Sequence, residues 1–481
     1  MFFLYACVDS EKDGPVEITD SRPDSGGTTD SRPDDDTADS VDTADSLDTA
    51  PPPPESLGAL TLTVDAAVVT VLHAGFADPG VAEVWVEYRF EGGDWQVAPT
   101  VSAGAAVVLG VPADTEVEAR AAARFGEVVV YSDVAVATTG TLPAGLLVPE
   151  VSVWDPSLAY EASFLMISVD HGDYTYGPPY WIEIVDRDGR IVWYRETPDD
   201  LMTLYPTVSR DGTHVWWDES DIFGILASDP RVVRQTLDGR WSVSQTLADM
   251  GQAIAEGPDD SWFYERRGAS PVGVVQAFSD GSAVTVWDCA AWGSARGLST
   301  NDCKLNACNW DEGRDTVLAS SFYTDTVFEV AVGTGEVVRQ MGQSTVGEPY
   351  AFDPPGDVFD YQHYPHWLDN GNLLVSTHVP GNYGVQVAGE YAVDDATHTL
   401  RRVWSYTSTD RFATQLGEAN RLPNGNTLQG YGQDGAVREV TTDGAVVWDA
   451  AWPKDPSGYR VVGHATLIPD LYALNAGPSG R

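Results

Sequence analysis

No stretch beyond the first few residues approaches the roughly 20 consecutive apolar residues that a membrane-spanning helix requires. Apolar spacing of the helical kind is almost absent as well, which sets aside helix bundles and doubly wound sheets and leaves an all-β chain. Cations are scarce: Lys and Arg together number 27 against 73 Asp and Glu, a net charge of −46. Such a field repels a phosphate backbone instead of collecting it by counterion release, so nucleic acid is excluded as a partner. It also disfavours anions at long range, and a sulfate or phosphate ester would need a local basic pocket. No Gly-x-Ser-x-Gly elbow, phosphate loop or dinucleotide fingerprint occurs, so no cofactor is expected. Of the metals, only calcium has a claim, through Asp-rich loops that offer hard oxygen ligands, and there is no EF-hand loop to strengthen it.

Cysteine is nearly absent too, with four in 481 residues. Cys7 follows Phe2, Phe3, Leu4, Tyr5 and Ala6 and resembles the end of a bacterial lipobox, which marks residues 1–7 as the remnant of a signal peptide and Cys7 as the lipidation site. A lipid on that residue anchors a protein without spanning the membrane. Cys289, Cys303 and Cys308 are disulfide candidates: in an oxidising compartment one pair forms and one thiol remains, with the pairing left open by the sequence. Their spacing is not that of a zinc knuckle and no His adjoins them, so no metal ligands are assigned.

What is abundant falls into three blocks. Residues 8–56 are Asp, Thr, Ser and Pro, with Thr-Asp-Ser-Arg-Pro-Asp at Thr19 and again at Thr29. Such a segment cannot bury enough apolar surface to offset its chain entropy, which predicts a disordered acidic stalk stiffened at Pro51 to Pro54. Residues 57–143 alternate apolar and polar in short runs, among them Val84 to Phe90 and Val117 to Ala123. The run from Val111 to Arg120, closing on Ser132 and Thr138, resembles a fibronectin type III sandwich, with Val117 where that family has Tyr, and a spacer role follows.

Residues 144–475 repeat. Asp-Gly or Gly-Thr-Gly turns between apolar strands recur near Asp188, Asp238, Asp280, Gly333 and Asp443, with a related unit from Tyr391 to Trp404. A second hairpin alternates with these, at Asp211-Gly212, Asp259-Asp260, Asp311 to Asp315, Asn370-Gly371 and Asn424-Gly425. Two hairpins make four strands, and a period of about 40 to 60 residues is that of a propeller blade, so a six-bladed β-propeller is expected. In that architecture the first strand of each blade lines the channel. The segments preceding the second hairpin are then the places for chemistry, and the one around Tyr361, His363, Tyr364 and His366 is the richest, with His378 at the far end of the same hairpin.

The stretches Tyr180 to Trp193, Phe359-Asp-Tyr-Gln-His-Tyr-Pro-His-Trp-Leu-Asp-Asn-Gly-Asn to Leu374, Glu418 to Leu428 and Gly458-Tyr-Arg to Leu471-Tyr472 resemble, in order, the bacterial arylsulfotransferase propellers. That resemblance implies transfer of a sulfuryl group between an aryl sulfate and a phenol through a histidine, without a nucleotide donor. His363 matches an active-site histidine of the family, as nucleophile or as a group that polarises the sulfuryl. Lys304 stands where the family has a channel His, with Asn306 retained, and His464 is a possible second imidazole. Gln362, His366, His378 and Tyr361 join Asn306 as substrate-binding candidates. Two family arginines are replaced, by Val387 and Phe322, and Lys304 lacks the fork of donors that Arg offers. Arg421 and Arg460 read as strand-surface or inter-blade ion-pair residues, and the Trp residues as blade packing.

The expectation is an exported protein of the outer membrane, periplasm or cell surface, attached to membrane only through an N-terminal lipid, whose propeller takes a small aromatic sulfate or phenol. Its alternative is a non-catalytic surface lipoprotein whose propeller binds a ligand or protein partner. A quinone-dependent propeller dehydrogenase fits less well, because the repeats lack that group's tryptophan docking motif.

Overall fold

The computed structural model describes residues 52–198, 201–220, 229–268 and 270–478. The lipobox, Cys7 and the stalk up to Pro51 lie outside the described residues.

The first eight strands are β1 (Thr61–Val64), β2 (Leu72–Gly75), β3 (Val84–Phe90), β4 (Gln96–Ser102), β5 (Ala105–Val108), β6 (Glu116–Phe125), β7 (Val128–Tyr131) and β8 (Ala135–Thr138). They pair in the order β1-β2-β5-β4-β3-β6-β7, with β8 also on β6, so β4 links the two layers of a small sandwich. Alternation decides which face turns inward. Val86 and Tyr88 of β3 and Val117, Ala119, Ala121 and Ala123 of β6 fill the core. On the outward face Arg89 pairs with Glu118 and Arg120 with Glu87, each at 2.6 Å.

The rest is the six-bladed propeller. β9 (Glu150–Trp154) comes first, followed by β10 (Phe164–Asp170), β11 (Tyr180–Asp186) and β12 (Ile191–Glu196), three strands of blade one. Blade two is β13 (Thr207–Val208), β14 (Val215–Glu219), β15 (Arg231–Gln235) and β16 (Ser242–Thr246). Blade three is β17 (Met250–Glu256), β18 (Trp262–Arg266), β19 (Gly273–Ala277) and β20 (Ala283–Asp288). The one α-helix among the described residues, α1 (Cys289–Ser294), leads to blade four: β21 (Leu305–Asp311), β22 (Thr316–Ser321), β23 (Thr326–Ala331) and β24 (Val337–Gly342). β25 (Ala351–Phe352) precedes blade five, which is β26 (His363–Trp367), β27 (Leu373–Val379), β28 (Asn382–Asp394) and β29 (Thr399–Thr407). Blade six is β30 (Glu418–Arg421), β31 (Thr427–Gly430), β32 (Ala436–Val440) and β33 (Val446–Ala451), and β34 (Val462–Ile468) ends the series.

Both ends of the repeat region close the ring. β34 pairs with β10 as the inner strand of blade one, and β9 pairs with β33 as a fifth, outer strand of blade six. Within a blade, the first and third turns are the tight ones read from sequence. Gly371 and Gly425, at φ +82° and +90°, occupy a backbone region that costs other residues strain. Since each first strand starts at the opposite end, these tight turns all gather on one face. The second loops and the inter-blade connections gather on the other.

The sandwich docks on blade one. Val71, Val107 and Leu109 share a core cluster with Trp181, Ile184 and Trp193. The Val69 N–H donates to the Tyr194 hydroxyl at 3.1 Å, and the Leu109 N–H to the Tyr472 hydroxyl at 3.2 Å. The connector is pinned beneath them: the Leu147 N–H reaches His171 Nδ1 at 2.9 Å, while His171 Nε2 lies 2.6 Å from Glu183, both side chains fully buried.

Candidate functional site

The inner strands β34, β13, β17, β21, β26 and β30 surround a central channel holding two chambers. One, about 230 Å³, opens among the loops and is walled by Gln252, Asn306, Phe322, Tyr361, His363 and His378, with Tyr176 and Leu416 at its side. The other, about 360 Å³, faces the tight turns. A throat of about 20 Å³ lies between them, formed by Tyr205, Tyr364, Leu416 and His464 with His363.

His363 begins β26 and is only 8% exposed. Burial holds its imidazole at about 4, below the ordinary value of 6.5, so the ring is neutral at physiological pH. The Gln252 amide donates to Nε2 at 3.3 Å, which places the proton on the buried Nδ1. Asn306 is fixed on both sides: its side-chain NH₂ donates to the Gln362 carbonyl at 2.8 Å and its own carbonyl accepts from the Tyr205 hydroxyl at 3.1 Å. That leaves Asn306 Oδ1 buried and unpartnered. His378, at the end of β27, lies between the carbonyls of Asp360 at 3.3 Å and Ala413 at 3.2 Å, and burial lowers its pKa too. Tyr361 stands at the rim, 39% exposed, edge-on to Tyr383 at 4.4 Å.

In the throat a carboxylate, an imidazole and a phenol form a line. Glu418 is bonded to His464 Nδ1, and His464 Nε2 lies 3.4 Å from the Tyr364 hydroxyl. The second Glu418 oxygen accepts the Ala465 N–H at 2.5 Å, which fixes the carboxylate. Backbone strain concentrates here as well. Tyr176, Tyr361, Tyr364 and Leu416 have φ of 58°, 50°, 51° and 60°, whereas every other described non-glycine with positive φ is Asp, Glu or His.

Of the residues singled out from sequence, His363, Asn306, His378 and Tyr361 meet around the loop-side chamber. His464 is in the throat and His366 lines the turn-side chamber. Gln362 is fully buried, and its NH₂ is engaged by Ser320 Oγ, the Ser321 carbonyl and the Thr326 carbonyl at 3.0 to 3.1 Å, a staple from blade five to blade four. Lys304 is half-buried just before β21 and does not line the chamber. Val387 is buried on β28, and Phe322 lines the chamber. Arg421 pairs with Glu390 between blades at 2.7 Å, and Arg460 is buried against Asp170. Among the described residues no Lys or Arg lines this chamber. Gln252, Tyr205 and Glu418 lie in segments that precede the second hairpins, but their residue types carry no signal until the fold brings them to the axis. Cys289 and Cys303 form a disulfide that clasps α1, while Cys308 is free and buried, its thiol pushed up by burial. No helix among the described residues is long and apolar enough to cross a membrane.

No family model matches the chain, and no curated protein matches it. Solved structures do. A protein of unknown function from Bacteroides caccae is 16% identical with a TM-score of 0.41, covering 63% of this chain and 98% of its own. A streptogramin B lyase is 13% identical with a TM-score of 0.38, covering 62% and 86%. A putative 6-phosphogluconolactonase from Bacteroides uniformis is 11% identical with a TM-score of 0.38, covering 64% and 100%.

Proposed function

We propose that the propeller is arylsulfotransferase-like and holds a phenolic ring in its loop-side chamber, beside His363. The observation that supports this reading is a buried, neutral imidazole in the wall of a chamber flanked by Tyr176, Phe322 and Tyr361. In sulfuryl transfer, Nε2 of His363 would leave the Gln252 amide and attack the sulfur of an aryl sulfate. An N–S bond forms as the S–O bond to the ring breaks, and the aryl oxygen departs with the electron pair. A second phenol then takes the sulfuryl group, gives its proton to the departed phenolate, and frees the imidazole. The Gln252 amide, freed from the imidazole, is a neutral donor available to the sulfuryl oxygens.

A second reading, a ligand-binding propeller without turnover, is supported by the absence of Lys and Arg from the described chamber wall. An uncharged phenol needs no cation there, whereas a sulfate in a protein of net charge −46 does. Two measurements separate the readings: calorimetric titration with phenol, and nitrophenol release from nitrophenyl sulfate with phenol as acceptor. Turnover that disappears in His363→Ala supports transfer. Phenol binding without turnover in wild-type or variant supports the binding module. Neither binding nor turnover removes both.

The sandwich is, in the same reading, a fibronectin type III-like spacer, and Cys7 carries the lipid that holds the protein on the envelope exterior. Metabolic labelling with a palmitate analogue should mark the wild-type chain and not Cys7→Ser, and equal labelling of both would remove the anchor.

A further inference from the structure

We propose that the turn-side chamber is a second, separate ligand site, shaped for an uncharged polyhydroxylated ring of about monosaccharide size. It shares no lining residue with the loop-side chamber, and the throat between them, about 20 Å³, holds little more than one water. Its volume of about 360 Å³ falls in the range of small-molecule sites.

The wall gives the chemistry. Each blade sends at least one hydrogen-bonding side chain to the axis, among them Thr207, Glu256, Asn309, His366, Asn420 and His464, from blades two to six and then one. Some of this capacity is unmet. Asn420 Nδ2 is buried without a partner, and Asn309, held by its NH₂ on the Pro365 carbonyl at 2.8 Å, keeps its side-chain oxygen for a ligand. Burial holds His366 at about 4, so this partner is neutral. Buried polar groups call for hydrogen bonds, and hydroxyls around a ring can both donate and accept to a circle of partners. Trp216 and Ile254 add an apolar patch for the C–H face of such a ring.

Charge narrows the ligand further. The one guanidinium, Arg210, lies 4.2 Å over the Trp310 ring and is paired with Glu312 at 2.6 Å, while its backbone N–H donates to Glu256 at 2.9 Å. The residue therefore straps blade two to blades three and four across the chamber's outer end. With its cation engaged and carboxylates at hand, the site rejects phosphorylated or sulfated sugars.

The test is calorimetry on the full chain with D-glucose, D-galactose, N-acetyl-D-glucosamine and myo-inositol, with glucose 6-phosphate as the anionic control. The expected result is saturable binding of at least one neutral compound, weakened about tenfold or more in Asn420→Leu or Thr207→Val. Each variant is first matched to wild-type by melting, so that one misfolded protein does not decide the matter. Phenol should not compete with the sugar, and the result stands whether or not phenol binds. Absence of saturable heat from all four compounds, an equal affinity in both variants, tighter binding of glucose 6-phosphate, or competition by phenol would each overturn the proposal.

Discussion

His363 and Asp325 carry opposite pH signatures. The imidazole is held at about 4 against 6.5 in an unfolded chain, so between those values the unfolded state binds more protons and stability rises with pH. Its contribution is complete above pH 6.5 and is lost as the pH falls toward 4, at most about 3 kcal/mol. In His363→Gln the fall in melting temperature between pH 7 and pH 4.5 should therefore be shallower than in wild-type, and an unchanged slope would contradict a buried neutral ring. Asp325 is the reverse case. Burial, with a smaller push from Asp360, raises its carboxyl to about 6, so the folded state binds the extra proton and stability falls as the pH climbs from about 4 to 6. An Asn can still accept the Tyr361 N–H that Asp325 accepts at 2.7 Å. Asp325→Asn should raise the melting temperature at pH 7 and change it little at pH 4, a difference readable in one scanning experiment per pH.

At the scale of strands and turns, the residues that read most clearly were those whose local conformation is dictated by type. Asp-Gly and Asn-Gly tips, as at Gly371 and Gly425, placed the paired hairpins of each blade because left-handed φ suits glycine. The alternation in β3 and β6 likewise placed the sandwich. The loop face was hardly legible, because its segments have no period. β25 runs parallel to β29, and its pairing depends on the whole course of blade five. Of the candidate site, the His363 neighbourhood was marked by residue type, but the bond from Glu418 to His464 joins segments whose apposition only ring closure creates. Gln362 shows the limit well. Its place beside His363 suggested contact with a ligand, whereas its amide joins blades four and five through three acceptors. Gln362→Ala should then cost about 2 to 4 kcal/mol in denaturant unfolding, through lost bonds and buried carbonyls left unmet. A cost below about 0.5 kcal/mol would refute the staple.

For the whole molecule, the shared cluster of Val71, Val107 and Leu109 with Trp181 and Ile184 ties sandwich to propeller more firmly than a flexible linker would. Calorimetry on the wild-type chain should show the two melting together. Leu109 is 2% exposed in that cluster, and Leu109→Asp, which buries a charge at the junction, should split the melt into two transitions. Two transitions already present in wild-type would show that the domains are energetically independent.

Ring closure by β34 also has a consequence for biosynthesis. A growing chain that has not yet reached Val462 can assemble an arc of blades, but β10 keeps an unpaired inner edge along residues that are buried in the finished protein. Contacts this distant in sequence form slowly, since the intervening loop must be closed before they stabilise anything. The ring is thus completed in a single late docking step after that segment has left the ribosome. A premature stop before Val462 leaves a sticky strand edge open to other chains, and truncated products of this protein are expected to aggregate instead of persisting as smaller propellers.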